Sequence, residues 1–258
     1  MGAFFMAVIW QMPALALCPT PDRLAMVGVR NVVDGDTLRL VDGRSVRLIG
    51  INAPELARRG RPGEPLAEAA RRRLAALVRE SGGVVGLRPG REPRDKYGRT
   101  LAQVYGRSGD NLAARLLSEG LGFRVAVAPN VSQVACQRQA EKAARKAGRG
   151  IWRDAPVQKA SALRRSGFAL VGGKVSDVRR TRQSIRIEMD DSLVVQVPAR
   201  LLHSFPSSFT SGLKGRHLEV RGWVLDRSRS ARLKRGEKRW LLPLTDASML
   251  EWIGSKKL

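Results

Sequence analysis

The chain has 258 residues, 43% of them hydrophobic, enough to bury a core and to build two domains of ordinary size. Forty-seven Lys and Arg against 23 Asp and Glu leave a formal net charge of +24, spread over both halves of the chain. That balance points away from cationic partners and toward polyanions, nucleic acid first and anionic membrane surfaces second, with a merely well-solvated surface as the plainer reading.

The first stretch, MGAFFMAVIWQMPALAL, carries no charge. Its apolar run is shorter than the ~20 residues that span a bilayer but suits the apolar region of an export signal, and Ala14-Leu15-Ala16 fits a small-x-small cleavage site. Residues 1–17 are therefore expected to be a signal peptide and the mature protein to be periplasmic or secreted. The basic start of such a signal is missing, and translation from Met26 would instead leave a cytoplasmic chain. Cys18 and Cys136 are the two cysteines; in an exported chain they read as a disulfide pair.

Alternating apolar residues predict strands over MVGVRNVV and TLRLVDGRSVRLIGI, with Asp42-Gly43 as the hairpin turn between Leu38–Val41 and Val46–Ile51. ARRGRPGEP reads as a loop. Pro65 should open a helix with Leu66, Ala70, Leu74, Leu77 and Val78 on one face, ended by Ser81-Gly82-Gly83. VVGLRPG is a short strand, EPRDKYGR a polar turn and RTLAQVYG a strand. NLAARLLSEG gives a second helix and Ser132–Ala147 a third, with Ser132 as its N-cap. Residues 156–166 read as a linker. Beyond it come KVSDVRR, SIRIEM, SLVVQVP, HLEVRGWVL and RWLLPLTD as strands, with a helical piece, ARLLHSF, after the third. That order is that of a small OB-type barrel.

Charged groups gather around two stretches. Asp34 and Asp36 flank Gly35 at a strand break, and two carboxylates so spaced can hold a hard cation, although Asp-Gly-Asp-Thr is also an ordinary turn. Arg47 and Glu55 bracket VRLIGINAPE, and Arg99 ends DKYGR. Guanidiniums and a bound cation stabilise charge developing on phosphorus, while a glutamate activates water: together they suit phosphodiester hydrolysis.

VVDGDTLRL, VRLIGINAPE, DKYGRTLAQVY and AEKAARKAGRGIW follow one another as in the staphylococcal nuclease (thermonuclease-like) family, which residues ~27–154 resemble. The resemblance implies an OB-like five-stranded barrel with three helices and cleavage of DNA and RNA with little sequence preference. It implies Ca²⁺ held by Asp36, Asn52 and the main-chain carbonyl of Ala53, with Asp34 acting from the ion's outer sphere and another divalent metal as an option. Arg47 and Arg99 would contact phosphate and Glu55 would be the general base. Lys96 and Tyr97 would line the substrate groove, or else be solvated turn residues. Asn52 departs from the family, where aspartate is usual; weaker metal binding or a broader choice of metal is expected. Arg58, Arg59 and Arg61 could track phosphates or simply be solvated. Trp152 reads as a core anchor.

The second half carries a basic run, DRSRSARLKRGEKR, between its last two strands. Arg227, Arg229, Arg232, Lys234, Arg235 and Lys238 are candidates for gripping nucleic acid, and Trp223 or Trp240 for stacking on bases, although a core role is expected for at least one of them. The whole is expected to be mainly β (α+β): a nuclease-like domain at 24–155, the linker, and an OB-like accessory domain at 167–258. The rival expectations are a nucleic-acid-binding module that has lost catalysis and a cell-envelope protein whose charge serves anionic surfaces.

Overall fold

The structure is a computed structural model that describes residues 17–20, 23–58, 60–230, 232–233 and 236–253. Residues 1–16, Arg59, Lys234 and Arg235 lie outside that range, and so does most of the expected signal segment.

The first barrel is closed by β1 (Met26–Asp34), β2 (Thr37–Leu40), β3 (Ser45–Leu48), β5 (Val84–Arg94) and β6 (Thr100–Tyr105), in the order β1-β2-β3-β6-β5. Alternation decides its interior: Leu38, Leu40, Val46 and Leu48 are buried, while Arg39 and Arg47 between them project from the other face. The predicted strand Val46–Ile51 is divided. β3 stops at Leu48, Gly50 takes φ 98°, and Ile51–Asn52 (β4) pairs instead with Phe123–Arg124 (β7) in a separate two-stranded sheet. Such a φ is one that a side chain resists, so the glycine is what lets the chain leave the barrel here.

Helix α1 runs from Ala67 to Glu80 and buries Ala67, Ala70, Leu74, Leu77 and Val78. It starts two residues later than predicted, because Leu66 sits at φ 66° and is 37% exposed. The preceding turn is fixed by Glu64, whose N–H donates to the Glu55 carbonyl (2.8 Å) and whose carboxylate accepts from the Glu55 N–H (2.9 Å). Helix α2 (Leu112–Ser118) is capped by Asn111, which accepts from the Ala114 N–H at 3.0 Å. Helix α3 (Val134–Lys146) follows Gln133, not Ser132, and no side chain caps it. Cys136 on α3 is disulfide-bonded to Cys18. β5 is longer than the sequence suggested, its pairing with β6 reaching Arg94–Thr100 across an irregularity.

The second barrel repeats the first in strand order. β9 (Gly167–Arg180), β10 (Ser184–Met189), β11 (Leu193–Pro198), β12 (His217–Asp226) and β13 (Trp240–Pro243) close through β12–β9 pairing, with β11 and β13 parallel. The helical piece after the third strand is the 3-10 turn Ala199–Ser204. In this half two strands were not predicted: β14 (Leu250–Trp252) pairs with β12, and β8 (Val157–Lys159) pairs with β9. The stretch read as a linker is thus laid against the second barrel, with Ala160 and Leu163 buried. Trp240 is buried at 4% exposure, Trp152 at 7%.

The barrels meet through buried charge. Glu141 on α3 accepts from the Arg124 N–H (2.7 Å) and from Arg221 (2.6 Å); Glu219 bridges Arg221 (3.1 Å) and Arg145 (2.7 Å). Residues 124–128 run along the seam, where the Ala128 N–H donates to the Thr245 carbonyl and the Thr245 hydroxyl donates to the Ala126 carbonyl. No helix among the described residues is long and apolar enough to cross a membrane.

Candidate active site

The Asp34-Gly35-Asp36 turn joins β1 to β2 and is pressed against α1. A Cβ on Gly35 would fall 2.6 Å from Ala53 Cβ and 2.7 Å from Ala70 Cβ, so three small residues bring the turn, the chain after β4 and the helix together. That is a packing role for the small side chain of Ala53 which its sequence position did not reveal.

Asp36 is buried at the centre of this arrangement. Its Oδ2 lies 2.9 Å from Arg47 Nη2 and accepts from the Ala53 N–H at 2.8 Å; its Oδ1 accepts from the Thr37 hydroxyl at 3.1 Å. Burial raises its pKa from 3.8 to about 7; Arg47 pulls down, the neighbouring Asp34 charge pushes up. Asp34 Oδ1 accepts from the Asp36 N–H and its Oδ2 meets Arg58 at 3.2 Å. Arg58, a candidate phosphate tracker, is thus drawn toward the turn.

Arg47 projects from β3 opposite the core residues Val46 and Leu48. Its Nη1 donates to the carbonyls of Leu48 (3.1 Å) and Ile51 (2.8 Å), and Nη2 to Asn52 Oδ1 (3.3 Å). Four acceptors on the chain between Asp36 and Asn52 therefore fix this guanidinium before any ligand arrives. Arg99 is fixed by Asp95, whose Oδ2 accepts from its Nε at 2.7 Å and whose Oδ1 accepts from the N–H groups of Arg99 and Tyr97. Burial pushes Asp95 up, but these bonds outweigh it and hold the carboxyl below the usual aspartate range. Asp95 went unnoticed in the sequence, although an acid four residues ahead of an arginine in a DKYGR turn was a signal.

Arg47, Asn52, Glu55, Lys96, Tyr97 and Arg99 line one cleft of about 550 Å³, a size suited to a small ligand. Glu55 is exposed into it and Tyr97 is 72% exposed, with Lys96 5.0 Å and Arg99 5.6 Å from its ring centre. Asp34 and Asp36 stand behind that wall, joined to it through Arg47 and Ala53. Arg227, Arg229, Arg232 and Lys238 are not among the cleft residues. Arg227 is paired with Glu237 (3.0 Å) and Lys238 with Glu188 (3.6 Å), which withdraws part of the charge expected for the basic run. Arg229 and Arg232 remain exposed.

Asp34, Asp36, Asn52 and the Thr37 hydroxyl offer oxygen donors alone, the chemistry of a hard divalent cation. Asp36 is a buried carboxyl whose pKa burial raises further than Arg47 lowers it. An added cation would hold it ionised, so the residues present fit such a group. No cluster of three or more His, Cys, Asp or Glu is found among the described residues.

The chain matches the family model for staphylococcal nuclease homologues over residues 45–154, which contain Arg47, Asn52, Ala53, Glu55 and Arg99. It is 38% identical over 128 residues to the thermonuclease of Staphylococcus intermedius, covering 48% of this chain and 74% of that protein. It is 33% identical over 129 residues to the thermonuclease of Staphylococcus hyicus, covering 48% and 73%. A third relative is endonuclease YncB of Bacillus subtilis, 33% identical over 135 residues, 50% of this chain and 63% of that protein. The first barrel with its three helices, the cleft at its rim and this similarity agree: the chain belongs to the staphylococcal nuclease homologue family.

Proposed function

We propose that the protein is a nuclease that hydrolyses phosphodiester bonds of DNA and RNA in the cleft between Arg47 and Arg99. The observation that carries this reading is that two pre-positioned guanidiniums and an exposed glutamate share one cleft, in a family whose curated relatives are named as thermonucleases and an endonuclease.

Arg47 and Arg99 bind non-bridging phosphate oxygens and stabilise the charge that grows on them as water attacks. Both are already oriented by carbonyl and carboxylate acceptors, so little reorganisation is needed. Glu55 accepts the proton of the attacking water. The new P–O bond forms as the P–O5′ bond breaks and the departing 5′-oxygen takes a proton from solvent, leaving a 3′-phosphate and a 5′-hydroxyl. Asp36, Asn52 and the Ala53 carbonyl would hold Ca²⁺ or another divalent cation, with Asp34 in its outer sphere; when bound, the ion supplies Lewis-acid stabilisation of phosphate charge. The Cys18–Cys136 disulfide supports an oxidising, exported location. The exposed Arg229 and Arg232 support a role for the second barrel in holding the nucleic-acid backbone.

A fluorescent single-stranded oligonucleotide incubated with Ca²⁺, other divalent ions or chelator tests the reading. Metal-dependent cleavage that Arg99→Ala reduces is expected. Retained binding without cleavage in any metal would replace it with a binding module.

A further inference from the structure

The cleft is not built by the first barrel alone. Trp223 and Thr245, both from the second barrel, line it together with Arg47, Glu55 and Arg99. β12 alternates so that Val224 faces the core while Trp223 is turned outward at 38% exposure, unlike Trp240. The indole is not loose. It packs edge-on against Phe168 (centres 5.4 Å apart), its cross-strand partner on β9, and Phe168 lies 5.6 Å from Phe123 on β7. Phe123 is paired in register with Asn52 and meets Trp152 edge-on at 5.7 Å. A row of four aromatic rings thus crosses the seam and holds the indole at the cleft that Arg47, Glu55, Arg99 and the exposed Tyr97 also line. Charged groups serve a phosphate; a fixed, half-exposed π face serves the flat ring of a base, whatever its sequence.

We propose that Trp223 is a substrate-contacting residue of this site, stacking on a base of the nucleic acid whose phosphate lies at Arg47 and Arg99. The inference rests on the nuclease reading but makes a separate demand. The second barrel supplies part of the cleft itself as well as a tether for the backbone.

The test compares the affinity of the full chain, in chelator so that nothing turns over, for hexathymidylate and for the same backbone with abasic tetrahydrofuran sugars, both fluorescein-labelled. Stacking on one ring corresponds to a preference for the base-bearing strand of about 5- to 100-fold. Trp223→Ala and Trp223→Leu should each lower that preference about 5-fold or more, Trp223→Phe should keep most of it, and affinity for the abasic strand should stay the same. Leucine preserves apolar bulk without a π face, so a loss shared by both variants is not a packing effect. An unchanged preference in folded Trp223→Leu would overturn the proposal. Failure of the nuclease reading shows separately, as a wild-type protein that binds hexathymidylate but does not cleave it in any divalent metal.

Discussion

Arg47 Nη2 sits 2.9 Å from the buried Asp36 carboxylate and 3.3 Å from the Asn52 amide oxygen. One guanidinium therefore serves as counter-ion to Asp36 and hydrogen-bond donor to Asn52, the two side chains proposed to hold a divalent ion.

Divalent metal should therefore stabilise the fold. Excess Ca²⁺ at about 100 times its Kd adds roughly 2.7 kcal/mol through binding to the native state, read as a raised Tm. Asp36→Asn should abolish that shift. Asn52→Asp, which restores a second carboxylate, should tighten Ca²⁺ roughly tenfold or more, measured by calorimetric titration. An equal shift in wild type and Asp36→Asn would place the metal elsewhere.

Asp95 makes a pH prediction. Its folded-state pKa is depressed, so it contributes stability that is complete above its unfolded value of about 3.9 and is lost as pH falls through the lower folded value. The stability difference between wild type and Asp95→Asn should be constant above about pH 5 and shrink toward zero in stronger acid. Urea unfolding across pH 2–7 reads this directly. Cleavage should also fall in Asp95→Asn, because Arg99 loses its orienting acceptor.

Glu141 and Glu219 make the two barrels depend on each other. Their side chains are 4% and 2% exposed, and removing either leaves Arg221 short of a partner in a buried seam. Glu141→Gln or Glu219→Gln should cost about 3–5 kcal/mol, and unfolding of the wild type should be one transition. Two separated transitions in wild type would show that the ladder does not couple the barrels.

The disulfide closes a separation of 118 residues. Loss of the bond in Cys18→Ser/Cys136→Ser should lower stability by about 2–5 kcal/mol through the freer unfolded chain, with cleavage at low temperature retained. Denaturant melts with and without reductant check it.

Local pattern made much of this molecule readable. The V-R-L alternation sends Arg47 away from Val46 and Leu48, DKYGR marks the turn that carries Arg99, and the strand–strand–strand–3-10–strand–strand order announces the second barrel. What stayed hidden depends on contacts far apart in the chain. The break at Gly50 follows from β4 pairing with β7, more than 70 residues on. The role of Arg221 follows from Glu141 on α3, and Trp223 reaches the cleft only because the barrels dock. The N-cap at Ser132 was overridden by local geometry, since Val134 donates to Val131 and the helix starts after Gln133. The basic run promised a broad grip, yet the structure spends Arg227 and Lys238 on acids.

The most direct test is the single-turnover cleavage rate of a single-stranded oligonucleotide in saturating Ca²⁺ by wild type and by Glu55→Gln. The glutamine keeps the size of the side chain but cannot accept a proton from water. If Glu55 is the general base, the rate falls by about 10²–10⁴-fold while oligonucleotide affinity and Tm stay unchanged. An unchanged rate would contradict that role, because water would then be activated without Glu55.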